Sequence, residues 1–167
     1  MIAKVKGIEY NPPRTVGSTT AYGSSTSERV VNSLLIPGGS LKQYDLLGID
    51  TRLTKVGTNA IVTLRIRIGT AVNTSQQLVA TYASTAASNS LIPIMRRLSI
   101  NTLAGSTYVP DRGSSNSWDY SGPTFLWEEI TTISWEINQY IIVTAQCGSA
   151  LDTVYCPHII TDFIQGS

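Results

Sequence analysis

The stretch Ala60–Gly69, with the sequence AIVTLRIRIG, determines the fold class of this chain. Apolar residues at positions 62, 64, 66 and 68 alternate with Thr63, Arg65 and Arg67. Successive side chains of a strand point to opposite faces of its sheet. The alternation therefore predicts a strand with one buried face and one cationic face.

Other apolar runs lie on both sides of this strand, separated by turn residues such as glycine, proline and asparagine. Together with 60–69 they predict about eight strands, at 28–37, 44–53, 77–83, 91–103, 132–138, 139–147 and 158–164. Residues 55–59 are typical of a hairpin turn, and 104–124 of a long loop. We expect an all-β, antiparallel two-sheet sandwich that is jelly-roll-like. An immunoglobulin-like sandwich is the alternative, although both cysteines lie near the C-terminus.

The composition agrees with an all-β fold and limits the function. Isoleucine, valine and threonine total 49 of the 167 residues, whereas leucine, alanine, glutamate and lysine total 33. β-Branched side chains lose rotamer freedom in helices and pack well on a pleated surface. A net charge of +1 argues against a general nucleic-acid-binding protein. No apolar run is long enough to span a bilayer or to form a signal peptide, so we expect cytoplasmic synthesis without membrane insertion.

Residues 1–27 differ from the rest of the chain. Pro12 and Pro13 interrupt strand pairing because proline lacks the backbone donor. The following stretch TVGSTTAYGSSTSE has the small, polar composition of a linker. We therefore predict an N-terminal arm and linker at 1–27 and a sandwich domain at 28–167.

Groups that could support catalysis or bind a cofactor are scarce. His158 is the single histidine. A zinc site that it formed with Cys147 and Cys156 would lack an obvious fourth ligand, although Asp152 or Asp162 could supply one. The two cysteines could form a disulfide, but cytoplasmic assembly favours thiols. Glu128 and Glu129 are adjacent in sequence and on a strand would point to opposite faces, unlike the carboxylate pair of a glycosidase. We predict no catalytic, cofactor or metal site, and a protein that is not an enzyme.

Four arginines could form an anion-binding surface. Arg65 and Arg67 share one face of their strand, while Arg96 and Arg97 point to opposite faces of another. If the two strands were neighbours, three or four guanidinium groups would gather to bind an acidic partner or an anionic glycan. Pairing with acidic residues on the outer surface is the favoured interpretation, with the candidates Asp45, Asp50 and Glu136.

The 104–124 loop carries the candidate contact residues. Aromatic rings lie there among carboxylate and guanidinium groups, which is typical of protein or sugar recognition. The candidates are Tyr108, Asp111, Arg112, Trp118, Asp119 and Tyr120. Contact with another subunit or protein, packing on the chain's own sandwich, and binding of a receptor glycan are the three interpretations. A loop of this length is usually functional or disordered.

The segment 33–70, SLLIPGGSLKQYDLLGIDTRLTKVGTNAIVTLRIRIGT, resembles small β-rich structural proteins of tailed bacteriophage virions. The matching features are Ile36-Pro37, Asp45, the turn KVGT at 55–58, the strand TLRIRI with the following Gly-Thr, and LIPIMRRLSI at 91–100. Altogether the resemblance covers about 70 of the 167 residues. It implies a jelly-roll-like and often trimeric fibre tip, head fibre or decoration protein, without catalytic or cofactor residues to transfer.

These observations lead to one expectation and one alternative. We expect a non-enzymatic virion protein, assembled in the host cytoplasm, that acts by forming homo-oligomers, with a trimer favoured, and by docking to other virion proteins. Neither nucleic acid nor a cofactor is expected. The alternative is a receptor-binding tip that recognises a host cell-surface glycan, and hydrolysis of surface polysaccharide is a distant third.

Overall fold

The chain forms two antiparallel β-sheets. A computed structural model describes residues 11–16, 22–23, 25–84, 86–110 and 127–164, with side chains from Ser25 onward apart from Pro110. The strands are β1 (Asn11–Val16), β2 (Tyr22–Gly23), β3 (Arg29–Ile36), β4 (Leu46–Val56), β5 (Val62–Gly69), β6 (Gln77–Ala83), β7 (Asn89–Thr102), β8 (Ser106–Pro110), β9 (Trp127–Ile130), β10 (Gln139–Cys147) and β11 (Thr153–Ile164). Helices are absent from these residues, so the predicted all-β sandwich is confirmed.

The strand order is that of a jelly roll with an extension. The larger sheet runs β1-β11-β4-β7-β8-β9, and β2 also pairs with β11. The smaller sheet runs β3-β10-β5-β6. The first four strands of the larger sheet and the four of the smaller one make the eight-stranded double-sheet arrangement. Strands β8 and β9 widen the larger sheet beyond β7.

The N-terminal segment joins the edge of the larger sheet. Strand β1 pairs antiparallel with β11 from Arg14 to Val16 and at Asn11, and the register shifts between Asn11 and Arg14. The expected interruption by Pro12 and Pro13 is thus local, since pairing resumes directly after them. The predicted boundary after residue 27 lies between two paired segments, β2 and β3.

The core lies between the two sheets and follows the alternation of the sequence. In β5 the residues at 62, 64, 66 and 68 are all fully buried, as predicted, whereas Arg65 and Arg67 lie on the outer face. The four buried residues of β5 belong to one cluster with the inward residues of β4, β7, β10 and β11. Trp135 closes one end of this cluster, and its Nε1 donates a hydrogen bond to Thr107 Oγ1 at 2.9 Å.

Three local predictions were wrong. Residues 55–59 do not form a hairpin, because β4 and β5 belong to different sheets and the segment crosses between them. Residues 131–138 connect β9 to β10 without forming a strand, although Ile133 and Trp135 are buried. The predicted 104–124 loop contains β8, which pairs with both β7 and β9.

Candidate functional site: an aromatic cleft on the outer face of the larger sheet

A cleft opens where β8 and β9 extend the larger sheet. Leu46 pairs with Ser99, and Ser99 pairs with Tyr108, so these residues form one row across β4, β7 and β8. Directly opposite residues share a face of the sheet, and the adjacent Leu47, Leu98 and Val109 are fully buried on the inner face. The row therefore points away from the core.

Trp127 completes the wall of the cleft. It pairs with Pro110, two residues beyond Tyr108, so that the indole and the phenol lie on the same face. The cleft has a volume of about 430 Å³ and is lined by Leu46, Ser99, Tyr108 and Trp127. Trp127 is 47% exposed. Two rings and a leucine side chain thus present a mainly apolar concave surface.

A chain of hydrogen-bonded polar groups lies beside the cleft. Asn101 Nδ2 donates to Ser106 Oγ at 3.0 Å, and Ser106 Oγ donates to Glu129 Oε1. Glu129 pairs directly with Tyr108 across β8 and β9. The Glu129 carboxylate is exposed while Ser106 is buried. The serine therefore holds the carboxylate in one orientation next to the tyrosine.

Tyr44 adds an exposed ring at the same end of the sheet. Its backbone adopts a φ of 69°, which is strained for a bulky side chain. The strain is imposed by hydrogen bonds on both sides of Ile100: Tyr44 N donates to Ile100 O at 2.6 Å, and Ile100 N donates to Asp45 O at 2.9 Å. The ring is 60% exposed. Such strain occurs preferentially at functional sites.

The structure places one of the predicted contact residues in this cleft. Tyr108 was predicted in a loop, and it lies on β8. Five other candidates, Asp111, Arg112, Trp118, Asp119 and Tyr120, lie outside the described residues. Sequence reasoning missed Trp127 and Glu129, whose four-residue strand WEEI is too short for alternation to be detected.

The arginines do not gather into one surface. Arg65 and Arg67 belong to the smaller sheet, whereas Arg96 and Arg97 belong to β7 of the larger one. Arg96 has the inward parity of β7 and is 1% exposed. The condition for a shared anion-binding surface, neighbouring strands, is therefore not met.

Glu28 pairs with both arginines of β5. Arg67 Nε and Nη2 donate to the two Glu28 oxygens at 2.8 and 3.0 Å, and Arg65 Nη1 lies 3.2 Å from Oε2. Thr144 Oγ1 also donates to the carboxylate at 2.6 Å. Pairing with acidic residues was the favoured interpretation, and the acidic partner of Arg65 and Arg67 is Glu28 rather than Asp45, Asp50 or Glu136. Glu28 was missed because it lies before β3, far from β5 in sequence.

The surroundings of Glu28 shift its titration. Burial alone would raise the pKa of this carboxyl group. The hydrogen bonds from Arg67 and Thr144 and the charges of Arg65 and Arg67 outweigh burial, so the pKa of Glu28 is lowered from its ordinary value. The cluster therefore binds the ionised carboxylate and holds the segment before β3 on the outer face of β5 and β10.

Lys55 and Asp152 form a buried ion pair at the opposite end of the sandwich from the cleft. Lys55 Nζ lies 3.9 Å from Asp152 Oδ1, and both side chains are fully buried. The ammonium group donates to the carbonyls of Thr58 at 2.6 Å, Ala87 at 2.8 Å and Ala60. Asp152 Oδ1 accepts from Thr58 N at 2.7 Å and Thr58 Oγ1 at 2.9 Å. These bonds fix three connecting segments, and the enclosed groups are inaccessible to a substrate.

The remaining candidates for metal or redox chemistry are dispersed. Cys147 and Cys156 are both buried free thiols. Burial raises the pKa of Cys156 to about 12, and burial together with the charge of Asp152 raises the pKa of Cys147. His158 lies in β11. Across the described ranges, His, Cys, Asp and Glu side chains form no group of three that could hold a metal ion.

Comparisons with known proteins add no assignment. No protein-family model matches this chain, and no curated protein matches it significantly. In the part of the chain that the structure describes, no helix is long and apolar enough to cross a membrane.

Proposed function

We propose that this protein is a non-enzymatic structural component of a tailed bacteriophage virion, of the head-fibre, decoration or fibre type. It is assembled in the host cytoplasm and acts by associating with its own copies, with a trimer favoured, and by docking to other virion proteins. The observation that carries this proposal is a group of exposed apolar side chains at one end of the sandwich.

Four large apolar residues are exposed at the end that contains the β4–β5 and β10–β11 connections. Leu151 is 77% exposed, Leu91 66%, Ile61 51% and Val56 45%. Thr58 in the first connection is bonded to Asp152 in the second, so Ile61 and Leu151 belong to adjoining segments. Single exposed apolar residues are normal, but several at one end of a small domain are typical of an interaction surface.

Two further features support association. A net charge of +1 gives little electrostatic repulsion between copies. The segment 33–70 and the strand at 91–100 resemble structural proteins of tailed bacteriophage particles, which are often trimeric jelly rolls. The fold described above is compatible with that resemblance.

Immunoelectron microscopy tests the virion role. An antibody raised against the purified protein should label intact particles of the phage that encodes it, at a fixed position on the head or tail. The matched control is the same antibody after absorption with the purified protein. Particles that remain unlabelled while infected-cell lysate contains the protein would contradict the proposal.

A receptor-binding tip is the second candidate function, favoured by the aromatic cleft. Tyr108 and Trp127 offer flat apolar faces, and Glu129 offers an oriented hydrogen-bond acceptor beside them. A host cell-surface glycan has the complementary groups. Cell-adsorption assays with the purified protein distinguish this candidate, because a purely structural component would not bind host cells.

A further inference from the structure

We propose that the aromatic cleft binds a neutral saccharide, which stacks on the rings of Tyr108 and Trp127 and donates hydroxyl hydrogen bonds to Glu129. This inference deepens the second candidate function, on which it rests for the biological source of the saccharide.

The rings supply the apolar half of the site. Tyr108 and Trp127 are diagonal neighbours on one face of β8 and β9, and this spacing lets aromatic side chains reach each other. Flat rings offer a large contact area at a low cost in conformational entropy. One face of a pyranose ring is made of C–H groups and is complementary to such a surface. The cleft's volume of about 430 Å³ is within the range of small-molecule sites.

The hydrogen-bonded chain of Asn101, Ser106 and Glu129 supplies the polar half of the site. Ser106 fixes the Glu129 carboxylate, and Asn101 in turn donates to Ser106 at 3.0 Å. Because the acceptor is already oriented, a ligand hydroxyl gains its hydrogen bond without ordering a long side chain. Bonds from hydroxyl groups to a carboxylate are among the stronger hydrogen bonds. An apolar ring face combined with adjacent hydroxyl donors describes a sugar better than it describes a hydrocarbon or a peptide side chain.

Charge selects the class of saccharide. The seven residues of the cleft lining and the polar chain include one carboxylate and no cation. An acidic sugar or a phosphate-containing polymer would be repelled by Glu129. Arg97 lies two residues before Ser99 on the same face but does not line the cleft, so an acidic probe tests whether this cation offsets the repulsion by Glu129. Acidic saccharides therefore test the assignment to the neutral class.

The concave shape favours a small ligand over a second copy of the chain. Stable protein interfaces bury about 1,200 Å² or more in total, whereas four of the residues that the structure describes line this cleft. A separate group of exposed apolar residues lies at the other end of the sheet, around Leu91 and Leu151. Association and ligand binding thus have separate surfaces.

The experiment uses the full chain and a defined panel of probes. Maltotriose, cellotriose, galactobiose and N,N′,N″-triacetylchitotriose are the neutral members, and sialyllactose is the acidic one. Saturation-transfer NMR detects binders, and calorimetry measures their affinity. At least one neutral member should bind at millimolar concentration or below, and sialyllactose should not. Trp127→Ala and Tyr108→Ala should each weaken binding at least tenfold, while Trp127→Phe, which keeps a ring, should retain most of it.

Two controls separate recognition from folding. Leu91→Ala removes an exposed apolar side chain from the same face outside the cleft and should change affinity less than twofold. Glu129→Gln should weaken the neutral ligand severalfold and reduce discrimination against sialyllactose, with an unchanged thermal midpoint. The proposal is overturned if no neutral member binds at 10 mM, if the alanine variants bind normally, or if sialyllactose alone binds. If no saccharide binds but the antibody labels the virions, the saccharide site is refuted and the proposed structural role is retained.

Discussion

At the scale of single residues, Lys55 is the least expected feature of the core. It has the inward parity of β4 and is fully buried, with three carbonyl acceptors and Asp152 around its ammonium group. Its role could not be predicted from the sequence, because Ala87 and Asp152, which complete its surroundings, lie in connections distant along the chain. A lysine two residues before a glycine, in an apparent turn, indicates an exposed charge.

The Lys55→Met variant should be destabilised by about 3 to 5 kcal/mol. Removing one member of a buried ion pair leaves the Asp152 carboxylate uncompensated and three carbonyl groups without their donor. Chemical denaturation measures the loss. Lys42→Met, at an exposed position, is the matched control and should change stability by less than about 0.5 kcal/mol. Equal stability of both variants would contradict the buried network.

Glu28 predicts how stability depends on pH. Since its folded-state pKa is lowered, the folded protein binds fewer protons there than the unfolded chain. Its contribution to stability is therefore complete above the ordinary glutamate pKa of 4.5 and is lost as pH falls through the lowered value. Glu28→Gln should destabilise the protein at neutral pH, and the difference from wild type should shrink below pH 4.5. Denaturant midpoints between pH 3 and 7 measure this, and a constant difference would contradict it.

At the scale of elements, the predictable strands are those with strong alternation or a strong apolar run between breakers. The bounds of β6 and β10 agree with the sequence to the residue, and β5 is two residues shorter than predicted. Strands β8 and β9 were missed because four or five residues in a serine- and glycine-rich region carry too few alternations. The sequence at 55–59 predicts a hairpin where the chain crosses between sheets, because a turn motif does not reveal whether its flanking strands share a sheet. The cleft depends on these missed strands, so only Tyr108 of its lining was predicted.

Removal of residues 1–24 tests the role of β1. Strands β3 to β11 supply both sheets without it, so the truncated chain should keep its β-sheet circular dichroism. Its thermal midpoint should fall by several degrees, because the paired edge of β11 is exposed, and an open strand edge promotes aggregation. Removal of residues 1–10, which leaves β1 in place, is the control and should retain the wild-type midpoint. A disordered spectrum for the longer truncation would show that β1 is essential to the core.

At the scale of the whole molecule, the two candidate surfaces lie at opposite ends of the larger sheet. Leu91 and Ser99 are eight residues apart on β7, or about 26 Å at the rise of a strand. Substitutions at the two surfaces should therefore have independent effects, as expected for sites without shared partners.

This separation gives a test of assembly that is distinct from ligand binding. Light scattering of the purified protein at high micromolar concentration should show a defined oligomer, with a trimer expected. Leu151→Asp combined with Leu91→Asp should yield monomers with an unchanged fold, because burying two carboxylates between subunits is costly. Ile137→Asp, at a 52% exposed position at the cleft end, should leave the oligomer intact, and Trp127→Ala should do the same. A wild-type protein that stays monomeric would contradict the predicted self-association. An oligomer that survives the paired aspartates and dissociates with Ile137→Asp would place the subunit contact at the cleft end.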